Sequence, residues 1–145
     1  MSYEFIEGGT EKCIHADYLQ LVVVAPIWQG KILLIHRQSE PFTGMHSIPG
    51  GHKEKDESYK EAAKRELKEE SGIAAANLTP FLIFIDHEHK IECHGFKFVS
   101  KNGMFSSPPN EEQEVIGWQN VTDALKFRLT PGLHESLQRL SIANR

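Results

Sequence analysis

The stretch of sequence that decides the fold is residues 51–73, which reads GHKEKDESYKEAAKRELKEESGI. Glutamate, lysine and alanine dominate its middle, and because these residue types favour helix, we predict a helix from about position 56 to 71. Ser58, with a glutamate three residues later, is a possible capping box, and Asp56 is a rival cap. Gly72 follows as the expected C-terminal stop of this helix.

The predicted helix gathers three carboxylates on one face. At about 100° per residue, Glu66, Glu69 and Glu70 fall within an arc of roughly 100°. The opposite face carries Lys60, Lys64 and Lys68. The lysines mark the face in contact with water, so the glutamates should point towards the body of the protein. Like charges at this spacing repel each other, and hard oxygen ligands suit Mg²⁺ or Mn²⁺. Helix geometry alone leaves two interpretations, a metal site or an ordinary charged surface helix.

The same stretch resembles the Nudix box, the pattern G-x5-E-x7-R-E-U-x-E-E-x-G-U in which U is aliphatic. Every specified position matches, from Gly51 to Ile73. The order of the flanking elements also resembles that family, so the resemblance covers roughly residues 19–140. It implies the α/β (α+β) class, as an α/β/α sandwich with a mixed sheet between helices. It also implies hydrolysis of nucleoside diphosphates linked to another moiety.

The resemblance implies a metal site for Mg²⁺ or Mn²⁺. Glu66, Glu69 and Glu70 would be the metal-binding carboxylates, and the carbonyl of Gly51 could also reach a metal. Metal ions neutralise a diphosphate, polarise the phosphoryl group and lower the pKa of a bound water. A carboxylate must then orient or deprotonate that water, and within the box Glu66 or Glu70 could do so.

Other matched positions would support the site. Glu57 and Arg65 would brace the box by an ion pair that helps to hold Glu66, and Gly72 would end the helix. Downstream, family members often carry a further carboxylate before a tryptophan, which here is Glu112, six residues before Trp118. The alternative for Glu112 is a solvated acidic loop.

Histidines and aromatic residues give weaker signals. Arg37, at the end of a predicted strand beside the box, is the best single candidate for contact with substrate phosphates. His87 and His89 could form a zinc site, but their spacing matches no standard ligand pattern and a polar hairpin tip is the default. Aromatic residues at strand spacing are more often core than base-stacking groups, and six are candidates for either role: Trp28, Phe42, Phe84, Phe96, Phe98 and Trp118.

The rest of the chain reads as strands and a second helix. The predicted strands are residues 19–25, 31–36, 80–85, 91–99 and 114–118, with a turn at 26–30 and loops at 41–51 and 101–110. Thr130 and Pro131 form a good helix start, a cap followed by proline in the first turn. We predict helices on opposite faces of a mixed sheet.

Length and composition favour one domain, residues 1–145. The net charge of −4 argues against a general nucleic-acid binder but not against an anionic small molecule, because bound metal reverses the local sign. Two cysteines without a Cys-x-x-Cys pair are most simply free thiols in a reducing cytoplasm. The N-terminus does not read as a signal peptide, and the longest apolar run, residues 21–28, is too short to cross a bilayer. A homodimer remains open.

The favoured substrate is a nucleoside triphosphate, normal or oxidised, cut to a nucleoside monophosphate and pyrophosphate as in small MutT-like members. ADP-ribose, a nucleotide sugar, a dinucleoside polyphosphate or an RNA 5′ end are alternatives. ADP-ribose-type members tend to carry a proline about 15 residues beyond the box, where this chain has Glu88. The more remote alternatives are an isomerase of isopentenyl diphosphate, which would need a catalytic cysteine, and a non-catalytic nucleotide sensor, which would usually lack box carboxylates.

Overall fold

The computed structural model describes residues 2–9, 11–38, 42–107 and 113–143, and within them the chain forms one sheet flanked by helices. In chain order the elements are β1 (Tyr3–Glu7), β2 (Leu19–Trp28), β3 (Lys31–Arg37), β4 (His46–Ser47), β5 (Gly50–His52), α1 (Tyr59–Ser71), β6 (Thr79–Asp86), β7 (Ile91–Val99), β8 (Gln113–Asn120), α2 (Val121–Ala124) and α3 (Leu133–Ala143).

The sheet is mixed, as the sequence predicts. Its strands lie in the order β1-β6-β7-β2-β3-β4, while β5 also pairs with β2 and β8 with β3. β2 and β7 run parallel, and the other pairings between the described strands are antiparallel. β2 is therefore the central strand, with β7 on one side and β5 and β3 in succession on the other.

The two faces of this sheet carry different helices, because successive strand residues point to opposite sides. On one face, Val22 and Val24 of β2 pack with Ala62 and Leu67 of α1. On the other face, a second cluster joins the alternate strand residues to α3: Ala25, Ile27, Ile32, Leu34, Leu133, Leu137 and Leu140. The predicted α/β/α sandwich is confirmed.

Local signals at both ends of α1 act as the sequence suggests. The Ser58 hydroxyl accepts a hydrogen bond from the amide of Glu61, and the Glu61 side chain accepts one from the amide of Ser58, so the capping box is complete. Ser58, and not its rival Asp56, is the cap, so α1 starts later than position 56. At the other end Gly72 has a φ of 72°, the left-handed conformation that closes a helix.

Other differences from the sequence predictions lie in β2, in α3 and in the loop 41–51. β2 continues through Pro26 to Trp28, because Pro26 lies between the residues that pair with β5 and those that pair with β3, where its missing N–H removes no hydrogen bond to either strand. α3 begins at Leu133 and not at Thr130, because Gly132 adopts a left-handed φ of 83°. The predicted loop 41–51 contains β4 and the start of β5.

Two short elements carry no clear sequence signal. β1 pairs with β6 at the edge of the sheet, and its burial does not alternate cleanly along the strand. α2 has only four residues and is capped by the Asn120 side chain. Both depend on partners far away in the sequence, so local periodicity does not reveal them.

Replacing Ser58 with alanine should lower the free energy of unfolding by about 1 kcal/mol, because the α1 amide that it caps would lose its acceptor. Chemical unfolding followed by circular dichroism measures this change. Ser58→Asn is the matched control, since asparagine caps about as well as serine. Equal stability of the alanine and asparagine variants would contradict the capping role.

Candidate functional site

α1 places two carboxylates against β5. Glu70 is 4% exposed, and its Oε1 accepts a hydrogen bond of 2.5 Å from the amide of Gly50. The Glu66 side chain is 13% exposed. It approaches Gly51 so closely that a Cβ at position 51 would lie 2.7 Å from its Cδ. Only glycine permits this approach, so the pair Gly50–Gly51 forms the floor beneath two buried acids.

Burial disfavours the charged forms of both acids, in spite of the arginines near them. Burial raises the pKa of Glu70 to about 8, and the neighbouring charges of Glu66 and Glu69 add to the rise, while the Gly50 hydrogen bond and Arg37 oppose it. Burial also raises the pKa of Glu66, against the opposing effect of Arg65. A cation bound between the two carboxylates would favour the charged form of both.

Arg65 connects three parts of the box through its hydrogen bonds. Its Nε and Nη2 lie 2.7 and 2.8 Å from the two carboxylate oxygens of Glu57, a bidentate pair. Its Nη1 donates to Glu66 Oε1 at 2.8 Å, and its Nη2 also donates to the carbonyl of His52 at 3.0 Å. Arg65 therefore ties α1, the loop before it and β5 to one another.

Glu69 stands apart from the two buried acids. Its side chain is 57% exposed, and its Oε2 lies 3.4 Å from Nη1 of Arg65. Across the described residues, no group of three or more His, Cys, Asp or Glu side chains is arranged to hold a metal ion. Mg²⁺ keeps several waters and binds substrate phosphates as well, so one or two carboxylates are an ordinary protein contribution to its coordination. Glu70, which is buried, and Glu66, which is partly buried, fit that requirement.

Of the two candidates outside the box, the structure describes one. Arg37 ends β3 and exchanges backbone hydrogen bonds of 2.9 Å with the neighbouring loop, where Met45 and Gly44 are its partners. Its charge lowers the pKa of Glu70, which places it within electrostatic reach of the buried acids. Glu112 lies outside the described residues.

The histidines of the hairpin tip bind protein groups. His87 Nδ1 lies 2.9 Å from the Tyr18 hydroxyl, and its Nε2 lies 2.9 Å from Glu4. His89 Nδ1 lies 2.7 Å from Asp86. A polar hairpin tip accounts for both residues.

A cavity on the α3 face was not indicated by the sequence. Aromatic and hydroxyl side chains line it, among them Ser47, Phe81, Phe84, Thr130 and Ser136. Phe84 was one of several aromatic candidates, but no local pattern distinguishes the three hydroxyl residues. They come together because β4, β6 and the start of α3 meet at this point.

Cys93 is not an activated nucleophile candidate. Both cysteines are free thiols, Cys13 exposed and Cys93 buried, and Cys93 lines the cavity. Burial raises the pKa of Cys93 to about 12, so its thiol stays protonated at neutral pH. The isomerase alternative needs a reactive cysteine, and Cys93 does not provide one.

Comparison with known proteins assigns the family. The model of the NUDIX domain matches residues 18–140. The chain belongs to the Nudix family. Among its Nudix relatives is the CTP pyrophosphohydrolase of Escherichia coli, 32% identical over 117 residues that cover 75% of this chain and 82% of that protein. The solved MutT Nudix hydrolase from Burkholderia pseudomallei is 26% identical, with a TM-score of 0.74 over 83% of this chain and 96% of that chain.

A shorter and stronger match involves another Nudix substrate class. The ADP-ribose pyrophosphatase of Methanocaldococcus jannaschii is 51% identical over 43 residues, which are 30% of this chain. The matched region spans only 25% of the length of that relative. The Nudix relatives of this chain thus differ in substrate. No helix among its described residues has the length and apolar character needed to cross a membrane.

The Glu57–Arg65 pair should make stability depend on pH on the acid side. The Arg65 hydrogen bond is the main cause that lowers the pKa of Glu57 from 4.5 to about 2. A lowered pKa in the folded state means that the pair's stabilisation is present above about pH 4.5 and is lost as the pH falls towards 2. In Glu57→Gln, the free energy of unfolding should therefore decrease less than in the wild type as the pH falls from about 4.5 to about 2.

Chemical unfolding at several pH values between about 2 and 5 measures this effect. Glu88→Gln, on the exposed turn between β6 and β7, is the control and should follow the wild type. Parallel curves for wild type and Glu57→Gln would show that the ion pair contributes nothing.

Proposed function

We propose that this Nudix protein hydrolyses a phosphoanhydride bond of a nucleoside triphosphate, using divalent metal ions and releasing a nucleoside monophosphate and pyrophosphate. The observation that carries the proposal is the placement of Glu66, which is partly buried, and Glu70, which is buried, against Gly51 and Gly50. Arg65 pairs with Glu66, and a divalent cation bound beside Glu70 would offset the cost of burying that second carboxylate. A triphosphate brings the anionic oxygens that such a cation also binds.

Mg²⁺ or Mn²⁺ would be held by Glu66 and Glu70, with Glu69 and the carbonyl of Gly51 as further ligands. When bound, the metal neutralises the phosphates and lowers the pKa of an attacking water. Arg65 keeps Glu66 against β5 during this chemistry, and Arg37 is the proposed phosphate contact. Glu66, Glu70 and Glu112 are the proposed groups to orient or deprotonate the water.

The match to the Escherichia coli CTP pyrophosphohydrolase over 75% of the chain favours a triphosphate. ADP-ribose is the second candidate, because the 51% identical relative is an ADP-ribose pyrophosphatase, although that match covers 30% of this chain. We further propose a single domain over residues 1–145 that acts in the cytoplasm on small nucleotides and not on general nucleic acid, with homodimerisation left to direct measurement.

A substrate panel assayed with Mg²⁺, with Mn²⁺ and with chelator tests the proposal. Metal-dependent release of a nucleoside monophosphate and pyrophosphate from a triphosphate is the expected result, identified by chromatography of the products. Cleavage of ADP-ribose or a nucleotide sugar into two monophosphates would show that the proposed substrate class is wrong, while the metal-dependent mechanism would stand. Turnover that persists fully in chelator would overturn the metal-dependent mechanism.

Glu70→Gln and Glu69→Gln should each abolish measurable turnover, which means a fall in kcat of about 100-fold or more, while the fold stays intact. Both changes keep the side-chain size and remove the charge that holds the metal. Glu61→Gln on the same helix is the matched control, because glutamine preserves the capping box. If both variants kept near-wild-type rates under saturating metal, the assigned site would be wrong.

A further inference from the structure

A buried polar cluster lies beneath the first turn of α1, outside the groups used above. Glu92 and His94 of β7 are 0% and 2% exposed, and Tyr59 of α1 is 4% exposed. His94 Nε2 and Glu92 Oε2 are 2.6 Å apart. The Tyr59 and His94 rings are stacked, with centroids 3.6 Å apart and planes at 11°.

Every polar end of this cluster has partners. The Tyr59 hydroxyl donates to Gln20 Oε1 at 2.6 Å and lies 3.4 Å from Glu92 Oε2. The Glu92 carboxylate also accepts hydrogen bonds from the amides of Ile14 and His15, the shortest being 2.6 Å from His15. A buried network with its members satisfied is rigid and favours one arrangement of the groups it joins.

Tyr59 lies on the same stripe of α1 as the two buried acids. Ala63, Glu66 and Glu70 follow it by four, seven and eleven residues. At about 100° per residue these four positions fall within an arc of roughly 60°. Because these residues share one face, a rotation of the helix about its axis that shifts Tyr59 also shifts both carboxylates in the same lateral direction.

The sheet beneath this stripe links the same two contacts. Val22 of β2 pairs with His94 on one side and with Gly51 on the other, so the three residues form one row across the sheet. His94 meets Tyr59 at one end of the row, and Gly51 meets Glu66 at the other. Helix and sheet are thus in contact at two points, the stack of Tyr59 on His94 and the approach of Glu66 to Gly51.

We propose that Tyr59 is a positioning residue that sets the axial rotation of α1 through His94, Gln20 and Glu92, and thereby seats Glu66 and Glu70 against β5. A rotation of about 10° moves a group at a radius of about 6 Å by roughly 1 Å. A shift of that size at reacting groups lowers rates by up to about 100-fold. The inference rests on the proposed function, since it assigns these acids to the reaction.

Two variants and a matched control separate this role from general stability. Tyr59→Phe keeps the ring stack and removes the hydroxyl, whereas Tyr59→Leu removes both. Tyr18→Phe is the control, because it also removes a phenol hydroxyl, bonded to His87 at 2.9 Å, but not one on α1. We expect kcat to fall about tenfold in Tyr59→Phe and further in Tyr59→Leu, with KM unchanged, and to stay within about twofold in Tyr18→Phe.

Mn²⁺ affinity, measured by electron paramagnetic resonance well below the unfolding temperature, gives a readout that needs no turnover. Weaker Mn²⁺ binding in the Tyr59 variants than in Tyr18→Phe supports the positioning role even if the wild type cleaves no triphosphate, in which case only the proposed substrate fails. Wild-type kcat and Mn²⁺ affinity in Tyr59→Phe overturn the proposal while leaving the hydrolase intact. Should Tyr59→Leu not fold by circular dichroism, Tyr59→Phe decides.

Discussion

The close contact of two glutamates with two glycines is the constraint on which the rest of this structure depends. Glu66 reaches β5 because Gly51 has no side chain in its way, and Glu70 is bound there by the amide of Gly50. Their charges oppose burial, so the contact persists only while α1 is held firmly on the sheet. The caps Ser58 and Gly72 stabilise the two ends of α1, and the small side chains of Ala62 and Ala63 let the helix pack closely on the sheet.

Arg65 offsets part of the negative charge of the acidic helix. It lies against Glu57, Glu66 and Glu69, and its second nitrogen also reaches the carbonyl of His52. Because these partners come from the helix, the preceding loop and β5, one guanidinium joins three pieces of backbone. Burial raises the pKa of Glu70 to about 8, although the charge of Arg37 opposes the rise.

The central strand β2 contributes side chains to both faces of the sheet. Its even-numbered residues Val22 and Val24 support α1 and the acids. Val23 points to the other face, where it lines the cavity beside α3, and it pairs with the glycine that binds Glu70. Alternation along a single strand thus places the acids and this cavity on opposite sides of one layer, so a substrate held at the acids does not reach into the cavity.

The sequence by itself determined the helix α1, its C-terminal stop and two candidate N-caps, the mixed sheet between helices and the acids of the box, because each depends on spacing within a short stretch. Ser58, Gly72 and the strand Ile91–Val99 lie where local patterns predict them. The tertiary structure alone decided that Glu69 stands apart from Glu66 and Glu70, that Ser47 meets Thr130 in a cavity, and that Glu92 and His94 lie under Tyr59. These contacts join residues on separate elements or depend on burial, and neither the pairing of distant strands nor the packing of a helix is encoded in local periodicity.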